Sequence, residues 1–462
     1  MPPKFGTSGL RGLVTDLTPD LVADYTRAFL GACEVGTGLF IGRDLRPSSP
    51  DIAAVVADAA RAEGIAVTDC GAVPTPALAG AAFAAGAASI MITGSHIPAD
   101  RNGLKFYTPG GELTKAGETA IQDALGRAPS GQAGPDPVVD HRAGAAFVAR
   151  YVTAFGPDAL AGLRIGVYSH SAVGRDLMIA TLEALGADVA ELGRSGHFIP
   201  VDTEAVDADT RAQLASWAAG AGLDAIVSTD GDGDRPLVAD ATGEVIPGDV
   251  LGQITGAALG AEVAVTPVSS NTGVEAGGAF ASVIRTRIGS PFVIAAMEAA
   301  GPVRVVGYEA NGGFLLGFDA EGPEGPLPRL MTRDSVLPIV APLADARRQG
   351  LSLADLVARQ PARFTAADRL QEVPTERSQA LVARLTNDAA ARDAFLAEFG
   401  GVATGMDTTD GLRISLDTGR IVHLRPSGNA PELRFYAEAE SAQAARDFLA
   451  RGLGILREHV GG

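Results

Sequence analysis

"GLFIGRDLRPSSPDIAAVVADAARAEGIAVTD" occupies residues 38–69 and reads as strand, helix, strand. GLFIG (38–42) and IAVTD (65–69) are short apolar runs rich in β-formers. Between them Ser49 suits a helix N-cap, Pro50 the first helical position and Gly64 the C-terminal cap. Two strands joined through a helix form a βαβ unit, which implies parallel pairing.

The same rhythm extends along the chain through ASIMIT (88–93), LRIGVY (163–168), DAIVST (224–229), EVAVTP (262–267) and VRVVGYE (303–309). It then changes. GLRISL (411–416), RIVHLRP (420–426) and ELRFYAEAE (432–440) read as antiparallel strands, followed by a helix over 441–453. Gly- and Pro-rich breaks fall at 126–140 and 239–249, and a third at 352–372. The expected fold class is α/β: three similar α/β domains (βαβ, mixed sheet) and a C-terminal α+β domain with an antiparallel sheet.

The chain has 462 residues, enough for three or four domains with their own cores. Its two cysteines, Cys33 and Cys70, exclude a disulfide framework and a Cys-based zinc site, and fit a reducing, cytoplasmic compartment. The net charge of −18 argues against nucleic acid as a partner. No signal peptide follows Met1, and the apolar run 77–92 reads as a short helix and a strand, not a membrane span. An anionic substrate needs a local basic pocket here. Lysine stands only at positions 4, 105 and 115, so a lysine inside a motif stands out.

Chemistry concentrates in five stretches. STDGDGDRP (228–236) places Asp230, Asp232 and Asp234 on a glycine turn after an apolar strand. Three adjacent carboxylates repel one another unless a cation binds them, and hard oxygen donors suit Mg²⁺ or Ca²⁺. The calcium EF-hand is excluded, because Arg235 and Ala241 stand where its Gly and Glu are required. TGSHIPADRNGLKF (93–106) presents Ser95, a hydroxyl needing activation, with His96 and Lys105 as proton handlers or charge partners and Arg101 as a phosphate clamp. RPSGNAPELRF (425–435) has the composition of a phosphate loop in Arg425, Ser427, Gly428 and Asn429. KFGTSGLRG (4–12) adds Thr7, Ser8 and Arg11, and GYEANGGFLLG (307–317) sets Glu309 and Asn311 where a sugar could be held.

Taken in chain order, the five stretches resemble the α-D-phosphohexomutase superfamily, in particular its phosphomannomutase/phosphoglucomutase branch, over nearly the whole chain. The resemblance implies a reaction. Mannose 6-phosphate and mannose 1-phosphate would interconvert by reversible intramolecular phosphoryl transfer between C6 and C1, through phosphoserine at Ser95 and a 1,6-bisphosphate intermediate. Mg²⁺ would be held by Ser95, Asp230, Asp232 and Asp234, with a hexose 1,6-bisphosphate as activator. Ser95, His96, Lys105 and Arg11 would be catalytic. Thr7, Ser8, Arg101, Arg235, Arg287 (in RTRIGS, 285–290), Glu309, Asn311, Arg425, Ser427, Gly428 and Asn429 would bind substrate.

The domains would be a phosphoserine-bearing one (1–138), a metal-binding one (139–243), a sugar-binding one (244–358) and a phosphate-binding one (359–462), around a central cleft. The resemblance implies hexose phosphates as partners, with neither nucleic acid nor membrane, and a monomer or a dimer. Gly94-Ser95-His96-Ile97-Pro98 departs from the common Ala-Ser-His-Asn-Pro. Glu309-Ala310-Asn311-Gly312-Gly313 departs from Glu-x-Ser-Gly-His, in a form closer to phosphomannomutases. Phosphoglucomutase and phosphoglucosamine mutase are the alternatives within the resemblance. Outside it stand a Mg²⁺-dependent phosphatase of haloacid-dehalogenase type, with Asp230 as nucleophile, and a non-catalytic sugar-phosphate sensor.

Overall fold

The structure is a computed structural model and describes residues 3–6, 9–427 and 431–461. Thr7, Ser8, Gly428 and Asn429 lie outside the described residues. The chain forms two compact units, residues 1–261 with 289–357 and residues 262–288 with 358–462. The stretch 262–288 therefore packs with the C-terminal segment.

The first unit carries two complete sheets. In one, the strand Leu39–Arg43 pairs parallel with Val67–Ala72 on one side and with Ala88–Ile92 on the other. This is the βαβ unit read from residues 38–69. Arg101–Thr108 then runs back antiparallel to Ala88–Ile92, so the serine stretch is a loop between two central strands. In the other, Asp188–Leu192, Arg164–Tyr168 and Ala225–Thr229 are parallel, and Pro236–Asp240 returns antiparallel to Ala225–Thr229. A further antiparallel set comprises Val305–Tyr308, Phe314–Leu316 and Leu330–Asp334.

The second unit pairs Val263–Pro267 with Ser282–Thr286 in parallel. Its other sheet is antiparallel throughout, in the order Phe364–Gln371, Glu432–Ala439, Ile421–Pro426, Leu412–Leu416, Ala403–Asp407.

Central strands such as Ala88–Ile92 and Ala225–Thr229 are buried along their whole length, as strands covered on both faces must be. Phe29 stacks on Phe106 at 5.0 Å beneath the first sheet, among Leu39, Ile90 and Val56. Burying each such side chain contributes about 1.5–3 kcal/mol.

Two expectations about helix ends need correction, and two of the breaks carry structure of their own. The helix after Leu39–Arg43 is Ser49–Ala62, and its N-cap is Ser48, whose side chain makes no capping bond. Ser49 instead donates its hydroxyl to Asp44 Oδ1 at 2.6 Å and accepts from Asn102 Nδ2 at 3.0 Å, so its side chain is engaged away from the helix end. The break at 239–249 is a hairpin, in which Val238 faces Ile246. The break at 352–372 contains the helix Leu353–Ala358 and the strand Phe364–Gln371, which runs the full length of Glu432–Ala439. The final helix spans Ala442–Gly461 and so continues past residue 453.

Candidate active site

Ser95 has φ +52°, in the left-handed region that a side chain disfavours by about 1–2 kcal/mol. The neighbouring residues impose this turn. The buried guanidinium of Arg46 donates to the carbonyls of Ser95 (2.8 Å), Ile97 (2.7 Å), Pro98 (2.7 Å) and Arg101 (3.0 Å), and its Nε to Asp44 Oδ2 (3.0 Å). Thr93 Oγ1 donates to Asp44 Oδ2 at 2.8 Å and accepts from the Ser95 amide at 2.7 Å. The ring of Phe198 covers Arg46 at 3.9 Å. Gly94 is required here, since a Cβ would stand 2.5 Å from Arg46 Cζ. One planar cation with five donors thus ties the loop at four carbonyls, and Ser95 is held in a single pose.

The acidic turn joins Ala225–Thr229 to Pro236–Asp240. Asp230 Oδ1 accepts from the amides of Asp234 (3.1 Å) and Arg235 (3.3 Å), which closes the turn. Ser95 Oγ donates to Asp230 Oδ2 at 2.6 Å. Asp232 Oδ2 accepts from Thr75 Oγ1 (2.7 Å) and Lys105 Nζ (2.5 Å), and Asp234 Oδ2 from Lys105 Nζ (2.6 Å) and Arg333 (2.7 Å). Each of the three aspartates offers an oxygen within 4.8 Å of the others, and all three are fully buried. The Oδ1 atoms of Asp232 and Asp234 are buried without a hydrogen-bond partner. Three converging carboxylates, two of which keep a bare buried oxygen, fit a hard divalent cation.

The electrostatics agree with this reading. Burial, reinforced by Asp232 and Asp234, drives the Asp230 carboxyl well above the usual carboxylate range. Burial also acts to raise Asp232 and Asp234, but Lys105 overcomes it at the first and Arg333 at the second, so both stay ionised. Burial, with Arg235 beside it, lowers His96 to about 4. Its Nδ1 faces an Arg235 nitrogen at 3.0 Å and Ser95 Oγ at 3.4 Å, so the neutral ring accepts from the guanidinium. Arg11 donates to the Thr93 carbonyl behind the serine.

Glu309 and Asn311 follow the strand Val305–Tyr308 and are both buried. Asn311 Oδ1 accepts from the Gly313 amide at 3.0 Å, and Thr203 Oγ1 donates to the Asn311 carbonyl at 2.8 Å. Arg333 lies 3.5 Å from Glu309.

The structure brings Ser95, His96, Lys105, Arg11, Arg235, Glu309, Asn311 and the three aspartates into the first unit. Arg101 is exposed at the start of its strand and does not enter the cluster; its carbonyl is instead a ligand of Arg46. Arg425, Ser427 and Arg287 belong to the second unit. There Arg425 Nε donates to Asp410 Oδ2 at 3.0 Å, and the amide of Ile288, next to Arg287, donates to the same oxygen at 3.0 Å. The Ser427 amide donates to the Glu432 carbonyl at 2.9 Å.

Sequence reading missed Arg46 with Asp44, Thr75, Arg333 and Asp410. The first two carried a usable signal, an Asp-Leu-Arg at the carboxyl end of a parallel strand, where α/β sheets place their sites.

Models of the phosphoglucomutase/phosphomannomutase alpha/beta/alpha domains I, II and III match residues 2–130, 146–243 and 247–364, and that of the C-terminal domain matches 371–452. The chain belongs to the phosphoglucomutase/phosphomannomutase family. It is 47% identical to a phosphomannomutase from Sinorhizobium fredii, with 100% of each chain covered. It is 43% identical to a phosphomannomutase from Salmonella muenchen, covering 99% of this chain and 96% of the relative. A phosphoglucomutase/phosphomannomutase family protein from Burkholderia thailandensis shares the fold, with a TM-score of 0.78 at 21% identity over 99% of this chain and 98% of its own.

As a member of this family the chain is an isomerase that transfers a phosphoryl group between C1 and C6 of a hexose phosphate. Among the described residues no helix is long and apolar enough to cross a membrane.

Proposed function

We propose that this chain interconverts mannose 6-phosphate and mannose 1-phosphate with Ser95 as the phosphoryl carrier. The observation that carries the reading is Ser95 Oγ at 2.6 Å from Asp230, in a turn whose Asp232 and Asp234 keep two bare, buried oxygens.

Asp230, Asp232 and Asp234, with Ser95, would hold Mg²⁺, which when bound neutralises phosphoryl oxygens. Arg46 fixes the serine oxygen on one line of approach, which is most of what phosphoryl transfer asks of a protein. Asp230 accepts the hydrogen bond of the Ser95 hydroxyl while that hydroxyl is free. Lys105, tied to Asp232 and Asp234, and Arg11 and Arg235 supply positive charge against a phosphate; Lys105 passes one proton to the departing Ser95 oxygen and takes up the one the attacking sugar hydroxyl loses, and the reverse transfer runs the exchange backwards. His96, neutral and hydrogen-bonded to Arg235, orients that guanidinium. Glu309 and Asn311 hold ring hydroxyls in either orientation, and Arg425 with Arg287 holds the phosphate that is not reacting. A hexose 1,6-bisphosphate charges Ser95 initially and recurs as the intermediate. Mannose is favoured over glucose and glucosamine by the two full-length phosphomannomutase relatives and by the Asn-Gly-Gly form of the sugar loop. Residues 1–138, 139–243, 244–358 and 359–462 remain our division into domains by role.

The test is to incubate the purified protein with ³²P-labelled hexose 1,6-bisphosphate and Mg²⁺. Label is expected on Ser95, stable to hydroxylamine, and absent from Ser95→Ala, whose turnover drops at least roughly 10⁴-fold. Turnover of mannose 1-phosphate is expected to exceed that of glucose 1-phosphate. A hydroxylamine-labile label on Asp230 would overturn the chemistry, and a preference for glucose the sugar.

A further inference from the structure

Arg333 occupies an unusual place. It is the penultimate residue of the strand Leu330–Asp334 and is 2% exposed. One terminal nitrogen donates to Asp234 Oδ2 at 2.7 Å, and the other lies 3.5 Å from Glu309 Oε2. Glu309 Oε2 is itself buried without a hydrogen-bond partner. No other described cation is paired with Glu309. A single buried guanidinium is therefore shared, unequally, by a carboxylate of the cation turn and a carboxylate of the sugar loop.

We propose that Arg333 is a positioning residue that couples divalent-cation binding at the aspartate turn to sugar binding at Glu309. This rests on the functional reading above, in which the turn binds Mg²⁺ and Glu309 touches the hexose. The physical argument is competition for one charge. A cation drawing on Asp234 weakens that carboxylate's hold on Arg333. The guanidinium then turns more of its charge to Glu309, fixing a carboxylate that otherwise has one oxygen unsatisfied. Sugar binding in turn pulls Arg333 toward Glu309 and leaves Asp234 more available to the cation. Coupling of this kind is reciprocal, and allosteric couplings commonly amount to 5- to 150-fold. Lysine cannot do the same work, because a single ammonium on a flexible stem does not present two separated donors.

The test measures binding without turnover. In the Ser95→Ala protein, titration calorimetry gives the dissociation constant of mannose 1-phosphate with and without Mg²⁺, and of Mg²⁺ with and without the sugar phosphate. We expect each ligand to tighten the other by the same factor, about tenfold. Adding Arg333→Met should bring both factors to about one. Arg333→Lys should keep the thermal stability of the parent but recover little of the coupling. Glu309→Gln should erase the coupling from the other end with Arg333 in place, and serves as the test should the Met variant not fold.

If the parent binds both ligands independently, or Arg333→Met and Glu309→Gln retain the full factor, the coupling runs directly from metal to phosphate and the proposal fails. If the parent binds no Mg²⁺ or no sugar phosphate, the functional reading itself fails.

Discussion

The two units hold their candidate phosphate-contacting side chains in opposite ways. In the first, Lys105 and Asp232 meet at 2.5 Å with side chains 2% and 0% exposed. Their polar partners come from separate elements: Thr75 donates to Asp232, Lys105 bridges Asp232 and Asp234, and Arg333 donates to Asp234. In the second, Arg425 and Asp410 meet at 3.0 Å with side chains 22% and 10% exposed, and the chain around them is held mainly by backbone pairing. Chemistry on a serine needs atoms fixed before substrate arrives, and such fixing is obtained by burial and cross-linking of charges. Holding a phosphate that must be exchanged for another in mid-reaction calls for a looser, wetter grip. The proposed turnover of a bisphosphate asks for this division of labour.

The contrast can be broken at its strongest point. Lys105→Met leaves two ionised, buried carboxylates without their shared ammonium, and should cost about 3–5 kcal/mol of stability as well as activity. Thermal melts are expected to show the loss, and Mg²⁺ to restore part of it through binding to the folded state. A variant as stable as the parent would mean that the cluster is not organised by Lys105.

Acid should erode both units alike. Each keeps a buried neutral histidine. Burial, with help from Arg175, lowers His170 to about 4, and burial, with help from Arg413, does the same for His423. Each ring Nε2 donates to a carbonyl, that of Thr229 at 2.9 Å and that of Asp410 at 2.7 Å. A base whose folded pKa lies below its unfolded value of 6.5 takes up its proton first in the unfolded chain. Stability is therefore full above about pH 6.5 and declines as pH falls toward 4, by on the order of 3 kcal/mol per histidine. Denaturant titrations across that window check it, and His170→Gln and His423→Gln should each flatten the decline.

Two milder changes sharpen the comparison. Arg46→Lys gives up most of the four carbonyl bonds while keeping the charge beside Asp44. It should lower kcat roughly 100-fold with KM little changed, because the serine is displaced while the sugar contacts survive. Arg425→Ala should act the other way, raising KM roughly tenfold with a smaller loss in kcat and under about 1 kcal/mol in stability, read from initial rates and melts. Equal effects of the two on KM would remove the distinction between the units.

How much of this was legible beforehand varied along the chain. The parallel strands showed because burial on both faces makes them unbroken apolar runs, as in ASIMI and AIVST. Asp230, Asp232 and Asp234 showed because three carboxylates in one turn need a reason. Arg46 and Arg333 did not stand out, since each is a single arginine whose meaning lies in partners far away: Ser95 for one, Asp234 for the other. Asp410 was missed for the same cause. The strand Phe364–Gln371 was hidden because its exposed and half-buried residues lack strict alternation, and pairing with Glu432–Ala439 makes it a strand. At one helix start Ser48 and Ser49 both accept from Asn102, a partner remote in sequence that no local capping rule registers.

The acidic turn passes so near the serine loop that a methyl group at Gly231 would stand 2.7 Å from the Ser95 carbonyl oxygen and 2.9 Å from the Phe198 ring. Main chain meets main chain there with no side chain between to vary. On the proposed reading, evolution could retune the sugar preference at the Glu309 loop but has almost no handle on the spacing of Ser95 and the carboxylates. Drift at position 231 would be expected to silence the enzyme rather than redirect it.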